Sequence, residues 1–349
     1  MDYAIITHEN PHLDELVAAW LLKKFGESRY PGISEAPVDF WERGIDPPQD
    51  LYDMEKNGAI FLGMFGGRFD DHADMKEGKQ ECCTTLVVKH LGLEDNPALA
   101  KLVQFVFKTD TKPCAQPFDL SSVVKSLNKK HKAEKVWMWA SIALEALYEE
   151  QCEFFRDAAR DFSSARKTSV RYRGRVYPLV VAETEVKTFG KYARSSLGCG
   201  AGVIIQKNSS GNVQVFTNEK YRIDLTEVVR ILRVEEQRKR GRHNNASWEE
   251  LKSTGSMGGA EEWFFHENRK MLLNGSLSTT EVEPTALSLQ KVEKCVKQGL
   301  DQDFFPRSCQ KEKKCLFGEC YFYAYGLHRC RKLRYKKGKK GKKREAVAC

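Results

Sequence analysis

Two imidazoles and two carboxylates, His8, His12, Asp14 and Glu15, crowd one short run near the N-terminus, within THENPHLDELVAAWLLKKFG (residues 7–26). The run follows DYAIIT (residues 2–7), whose apolar pattern predicts a buried strand. It continues into a helix over residues 14–25, where Leu16, Val17, Trp20 and Leu21 recur at helical spacing and Gly26 is the stop. In parallel α/β sheets ligands bind at the carboxyl ends of strands. Imidazoles and carboxylates at such a strand-to-helix turn therefore form a metal-site pattern. Taken singly, Asp14 also suits a helix N-terminal charge, and His8 and His12 suit ordinary loop positions.

A second group is FDDHAD (residues 69–74), which follows AIFLGMF (59–65), another expected strand. It adds Asp70, Asp71 and His72, and Asp110 follows in FVFKTDT (105–111). Oxygen and imidazole donors from several separate segments suit Mn²⁺ or Mg²⁺ better than zinc. They also suit hydrolysis of a phosphoester through metal-activated water.

The elements that must hold these groups alternate between strand and helix. VDFWE (38–42) reads as a strand, and QECCTTLVVKHLG (80–92) and NPALAKLVQFVFK (96–108) read as helices. The latter opens with Asn96 as cap and Pro97 at the first helical position. A long helical stretch covers roughly 134–163. The alternation predicts an α/β domain with a mostly parallel sheet over residues 1–166.

Residues 167–300 change character and predict a smaller α+β domain. SVRYRGRVYPLVVAE (169–183) reads as a hairpin turning at Arg173-Gly174, and AGVIIQKNSSGNVQVFTN (201–218) as a second one. DLTEVVRILRVEEQRKR (224–240) and ALSLQKVEKCVKQGL (286–300) read as helices. Gly255, Gly258 and Gly259 suit either a backbone loop that approaches a phosphate or a plain flexible loop. Arg238, Arg240 and Arg242 suit either a grip on an oligonucleotide backbone or a solvated helix end.

The formal charge of +9 is unevenly spread. Residues 307–349 hold 15 of the 57 Lys/Arg and 3 of the 48 Asp/Glu, so this tail carries +12 and the rest of the chain −3. The tail is the electrostatic candidate for phosphate-backbone contact, and equally a solvated basic tail or a nuclear-type signal. It also gathers Cys309, Cys315, Cys320, His328 and Cys330, any four of which would close a tetrahedral zinc site. A loose reduced tail is the alternative. Tyr321, Phe322, Tyr323 and Tyr325 interleave with the basic residues, for stacking on single-stranded nucleic acid or for packing on the body. Scattered cysteines elsewhere, no secretory pattern at the start and no apolar run of membrane length predict a cytoplasmic protein, with a nuclear one left open by the tail.

The run HENPHLDELVAAWLL, followed by FDDHAD and FKTDT, resembles the DHH phosphoesterase superfamily, and within it the branch of melanocyte-proliferating-gene type exonucleases. In that branch the first motif resembles the run from Thr7 and His8 through His12, Asp14 and Glu15, with His12 one residue early. The Asp-His-His signature corresponds to Asp70-Asp71-His72, and the fourth motif to Asp110. The resemblance covers about residues 1–300. It implies a two-metal, usually Mn²⁺-dependent phosphoesterase with substrate held between two domains, acting on single-stranded RNA or DNA ends, short oligonucleotides, cyclic dinucleotides or pyrophosphate. On that pattern His8 and His12 hold one metal and Asp14 the other or both. Asp71 and Asp110 complete the second site, Asp70 supports the ligands, and His72 contacts the phosphate or protonates the leaving oxygen.

Two departures stand out. Gly63 falls where the superfamily places a metal-bridging Asp, and Asp71 replaces the middle His of the signature. The expectation is a metal-dependent phosphodiesterase or exonuclease acting on RNA or short oligonucleotides. The alternative is a degraded relative that binds RNA or nucleotides without cleaving them. A small-molecule phosphoesterase whose tail serves localisation is a third reading.

Overall fold

The computed structural model describes residues 2–42, 44–46, 50–71, 81–112, 114, 116–243, 245–275, 281–301 and 320–330. His72, Cys309 and Cys315, as well as the lysine-rich run at 336–344, lie outside these residues. The chain is a mixed α/β protein with one parallel three-stranded sheet and one mixed six-stranded sheet. It divides into two units, Met1–Phe155 and Arg156–Cys349. The division falls inside the long helical stretch, ahead of the expected boundary at 166.

In the first unit β1 (Ala4–His8) is the middle strand, pairing in parallel with β2 (Val38–Trp41) and β3 (Ala59–Phe61). Because a central strand has both edges paired, its apolar Ile5 and Ile6 are buried and its C-terminal His8 emerges at the sheet's carboxyl edge. Helix α1 (Leu13–Phe25) is buried along ten consecutive residues, Leu13–Leu22, as befits a helix enclosed by its neighbours rather than one lying on a surface. It packs on α3 (Cys83–Leu91), α4 (Ala100–Thr111), α5 (Leu120–Asn128) and α6 (Ala133–Cys152). The short α2 (Leu51–Lys56) precedes β3.

The core joins Leu16, Val17 and Leu21 to Val87, Val106, Val124 and Val136. Each such buried side chain contributes about 1.5–3 kcal/mol. Helix α4 starts later than the Asn96-Pro97 signal predicts. Asn96 caps a turn instead, accepting from the Ala98 amide at 3.0 Å. Helix α5 was not expected from its sequence. Past α6 the chain forms a π-helical turn, Glu153–Ala158, and then α7 (Ala159–Ser164).

The second unit is built on the strand order β4-β5-β6-β7-β9-β8. Strands β4 (Arg166–Tyr172) and β5 (Arg175–Glu183) form the expected hairpin. Its two turn residues, Arg173 and Gly174, both have positive φ, the conformation a tight two-residue hairpin requires. A crossover through α8 (Phe189–Arg194) places β6 (Val203–Lys207) parallel to β5. Strand β7 (Val213–Thr217) returns antiparallel, and β8 (Phe264–Phe265) with β9 (Met271–Leu273) completes the sheet.

Helices α9 (Thr226–Lys239) and α10 (Leu289–Leu300) pack together and contribute Val228, Ile231, Leu232, Val292 and Val296 to the core. Tyr325 and Leu327 bury in the same core, so residues 320–330 belong to this unit and not to a separate tail. Gly326 has φ +58°, and a Cβ there would lie 2.3 Å from Trp248 Cγ. Among the described residues no helix is long and apolar enough to cross a membrane.

Candidate metal centre

At the carboxyl edge of β1, His8, His12 and Glu15 bring ligand atoms within 4.8 Å of one another, and they are the one such group among the described residues. Strand β1 delivers His8. Pro11, whose carbonyl accepts from Asn128 Nδ2 at 2.8 Å, anchors the turn that carries His12. Glu15 sits at the third position of α1 and reaches back to accept from the His12 amide at 2.8 Å. That capping geometry aims its carboxylate between the two imidazoles. Its Oε1 lies 3.3 Å from His8 Nε2 and 4.0 Å from His12 Nδ1. The two rings meet edge to face at 5.4 Å. Glu15 is buried, His8 half-buried and His12 exposed, so the cluster opens to solvent on the His12 side.

Gly63 lines the closed side. Its φ is +64°, and a Cβ there would come within 3.0 Å of both Cγ and Oε1 of Glu15. The Glu15 carboxylate thus occupies the space that a larger residue 63 would need.

Carboxylates crowd around this cluster without joining it. Asp14, expected among the ligands, lies outside the His8–His12–Glu15 group. Its two oxygens accept from the amides of Cys83 at 2.7 Å and Thr84 at 2.8 Å, so it caps the N-terminus of α3. Burial first, then the charges of Glu15 and Asp110, push its carboxyl up to about 7 despite the Thr84 amide. Glu15 moves the opposite way. Burial alone would raise it, but the His8 hydrogen bond, then the charges of His8 and His12, hold it below the usual carboxylate range. Asp71 is buried, and its charge acts, with those of Asp14 and Glu15, on the Cys83 thiol, which burial pushes well up. Asp110 is exposed at the last turn of α4. Asp71 and Asp110 therefore lie in the electrostatic neighbourhood of the cluster and outside its ligand set. Asp70 closes the loop after β3, accepting from the Gly66 amide at 2.7 Å.

Glu15 is the member of the cluster that residue type and spacing underrated. Its signal was the N3 position of a helix, where a Glu reaches back to the cap.

The expected substrate-binding residues of the second unit are largely engaged within it. Arg240 pairs with Glu236 at 2.8 Å, Glu262 at 3.0 Å and Glu283 at 2.5 Å, and Arg242 with Glu262 at 2.8 Å. Arg238 pairs with Glu235 at 2.8 Å. The three arginines are ion-pair partners, not a free cationic grip. Gly258 faces open space, but the Gly259 amide already donates to Glu261 Oε1 at 2.7 Å. A carboxylate on that amide opposes a phosphate there. The loop is held from below by Arg233, whose fully buried guanidinium donates to the carbonyls of Leu251, Ser253, Gly255 and Trp263. Burial pushes this guanidinium down to about 10.

In the C-terminal segment Cys320, His328 and Cys330 do not form a metal-ligand group among the described residues. Cys330 packs on the core, and His328 is exposed. Tyr325 is buried, and Tyr323 meets Trp248 at 5.3 Å, so these two aromatics pack on the body.

No family model matches the chain, and no curated protein matches it. A solved structure described as an uncharacterized protein from Helicobacter pylori G27 aligns over 86% of this chain and 99% of its own, at 8% identity and a TM-score of 0.19. A similarity that low bears on neither fold nor function.

Proposed function

We propose that the first unit is a metal-dependent phosphoesterase domain of DHH type, acting on RNA or short oligonucleotides. The observation that carries this reading is the convergence of His8, His12 and Glu15 at the carboxyl end of a central parallel strand, among further carboxylates. Two imidazoles and one carboxylate fit a first-row transition ion, so Mn²⁺ suits the donors better than Mg²⁺, which prefers oxygen alone. His8, His12 and Glu15 would hold the ion. Bound there, it supplies a water of lowered pKa and neutralises charge on the phosphoryl oxygens.

The remaining residues act by position and charge. Before an ion binds, the contact between Glu15 and His8 Nε2 holds the two donors in place. Asp14 ties α1 to α3 and so fixes the turn that presents His12. Asp110 is exposed and acts through its charge, which reaches Asp14.

Turnover of an end-labelled single-stranded RNA by the purified chain tests the reading, with Mn²⁺ and with EDTA, beside Glu15→Gln and His8→Ala. Metal-dependent cleavage lost in both variants supports it. Cleavage that survives both variants refutes it. A second reading, RNA binding without hydrolysis, is favoured by Gly63, where no carboxylate stands to bridge a second ion. RNA retained but uncleaved with Mn²⁺ is its outcome.

A further inference from the structure

A cavity of about 640 Å³ opens at the C-terminal end of α9, lined by Glu235, Arg238, Lys239, Ser288, Lys291 and Tyr321 among others. All these residues belong to the second unit, and none belongs to the metal centre. Glu235 is 4% exposed and sits at the centre of a dense set of donors. The hydroxyls of Tyr321 and Tyr325 donate to it at 2.8 Å and 2.5 Å, Arg238 at 2.8 Å, and the Lys291 ammonium also pairs with it. Two cations already exceed this single carboxylate. Lys239 adds a third, exposed and with no ion-pair partner among the described residues. The cavity therefore carries two positive charges in excess, about the charge of a phosphomonoester dianion.

The aromatic component is equally specific. The ring of Tyr321 is fixed by its hydroxyl on Glu235 and carries the Arg238 guanidinium 4.1 Å from its centroid. It remains 53% exposed, which leaves aromatic surface free. A held aromatic ring beside excess cations is the arrangement that nucleotides use for stacking and charge contact. The volume is that of a small-molecule site. The cavity also meets Ser288, the cap of α10, whose Oγ accepts from the Lys291 amide at 3.2 Å, and the positive end of that helix adds to the field.

We propose that this cavity binds a nucleoside monophosphate, its phosphate between Lys239 and Lys291 and its base on the exposed face of Tyr321. The test is calorimetric titration of the full chain, in EDTA so that the metal centre takes no part, with AMP, adenosine and inorganic phosphate. AMP should bind at least about tenfold more tightly than either fragment, since each fragment lacks one of the two contacts. Lys239→Glu should weaken AMP by about tenfold or more, and Lys239→Arg should restore it. Tyr321→Leu should weaken AMP and leave phosphate unchanged, whereas Tyr321→Phe, which keeps the ring, should retain most of the AMP affinity. Lys239 is exposed, so its variants read binding and not folding. The proposal is overturned if AMP does not bind, if AMP binds no better than phosphate, or if Lys239→Glu leaves AMP binding within about twofold.

Discussion

Two buried carboxylates, one in each unit, move in opposite directions. Asp14 and Glu235 are each 4% exposed. Asp14 is pushed up to about 7, by burial and then by the neighbouring charges of Glu15 and Asp110. Glu235 is also opposed by burial, yet Lys291, Tyr325, Tyr321 and Arg238 hold it down to about 2. The second unit supplies its own counterions, whereas the first leaves negative charge gathered around two imidazoles. Buried charge that a protein satisfies internally is architecture. Buried charge left short of counterions, in a cluster open to solvent, is where a cation from outside lowers the energy most.

The largest effect should come from removing the satisfied carboxylate. Glu235→Ala leaves Arg238, Lys291 and the buried Tyr325 hydroxyl without their common partner. It should cost about 3–5 kcal/mol in urea denaturation of the second unit. A loss below about 1 kcal/mol would show that the network contributes little and would break the comparison.

The pH dependence should separate the units next. The folded-state pKa of Glu235 is depressed, so its contribution is present above the unfolded value near 4 and is lost as pH falls from about 4 to 2. The folded-state pKa of Asp14 is raised, so its ionisation penalises the fold increasingly from about pH 4 to 7 and by a constant amount above that. In EDTA, amide protection factors, with the intrinsic fall of exchange with acidity divided out, should therefore rise in the first unit from pH 7 toward 5, while α9 and α10 show no such gain. Mn²⁺ should remove the difference. Protection factors that are flat with pH around α1 and α3 would sink this account of the site.

The smallest effect concerns the back wall of the metal centre. Gly63→Ala imposes a side chain at φ +64° and against Glu15. It should cost about 1–2 kcal/mol and weaken Mn²⁺ binding measured by titration. Gly63→Asp should likewise lose affinity and not gain it, because Glu15 already fills that space. Improved binding would show that Glu15 yields its place.

The strands and helices were legible wherever pattern and punctuation agreed. β1 and α1 came from an apolar run, helical spacing and the Gly26 stop. The Arg173-Gly174 hairpin came from its turn residues. Helix α5 was missed because LSSVVKSLN is short and holds serines at positions that helix-forming residues would mark more clearly. The late start of α4 was missed because Asn96 caps equally well the turn that precedes it.

The candidate site shows the same division. Its chemistry is local: two histidines and two carboxylates at the mouth of a strand announce themselves by type and spacing. Which carboxylate joins the imidazoles was not local. Asp14 faces the amides of α3, about seventy residues away in sequence, and that contact makes it a cap beside the imidazole cluster. Glu15 gains its place from a one-turn hydrogen bond and from the missing side chain of Gly63 across the sheet edge. Arg240 and Arg242, just past α9, have partners Glu262 and Glu283 that lie a loop and a strand away, whereas Arg238 and Arg240 also pair one turn back with Glu235 and Glu236.

By itself the sequence determined the alternation of elements, the cluster of donors at one strand end and the basic tail, because periodicity, turn chemistry and charge are properties of neighbours along the chain. Only the tertiary structure decided which charges meet. Burial and pairing depend on residues far apart in sequence, and at low local dielectric those encounters set whether an ionisable group is a ligand, a cap or a counterion.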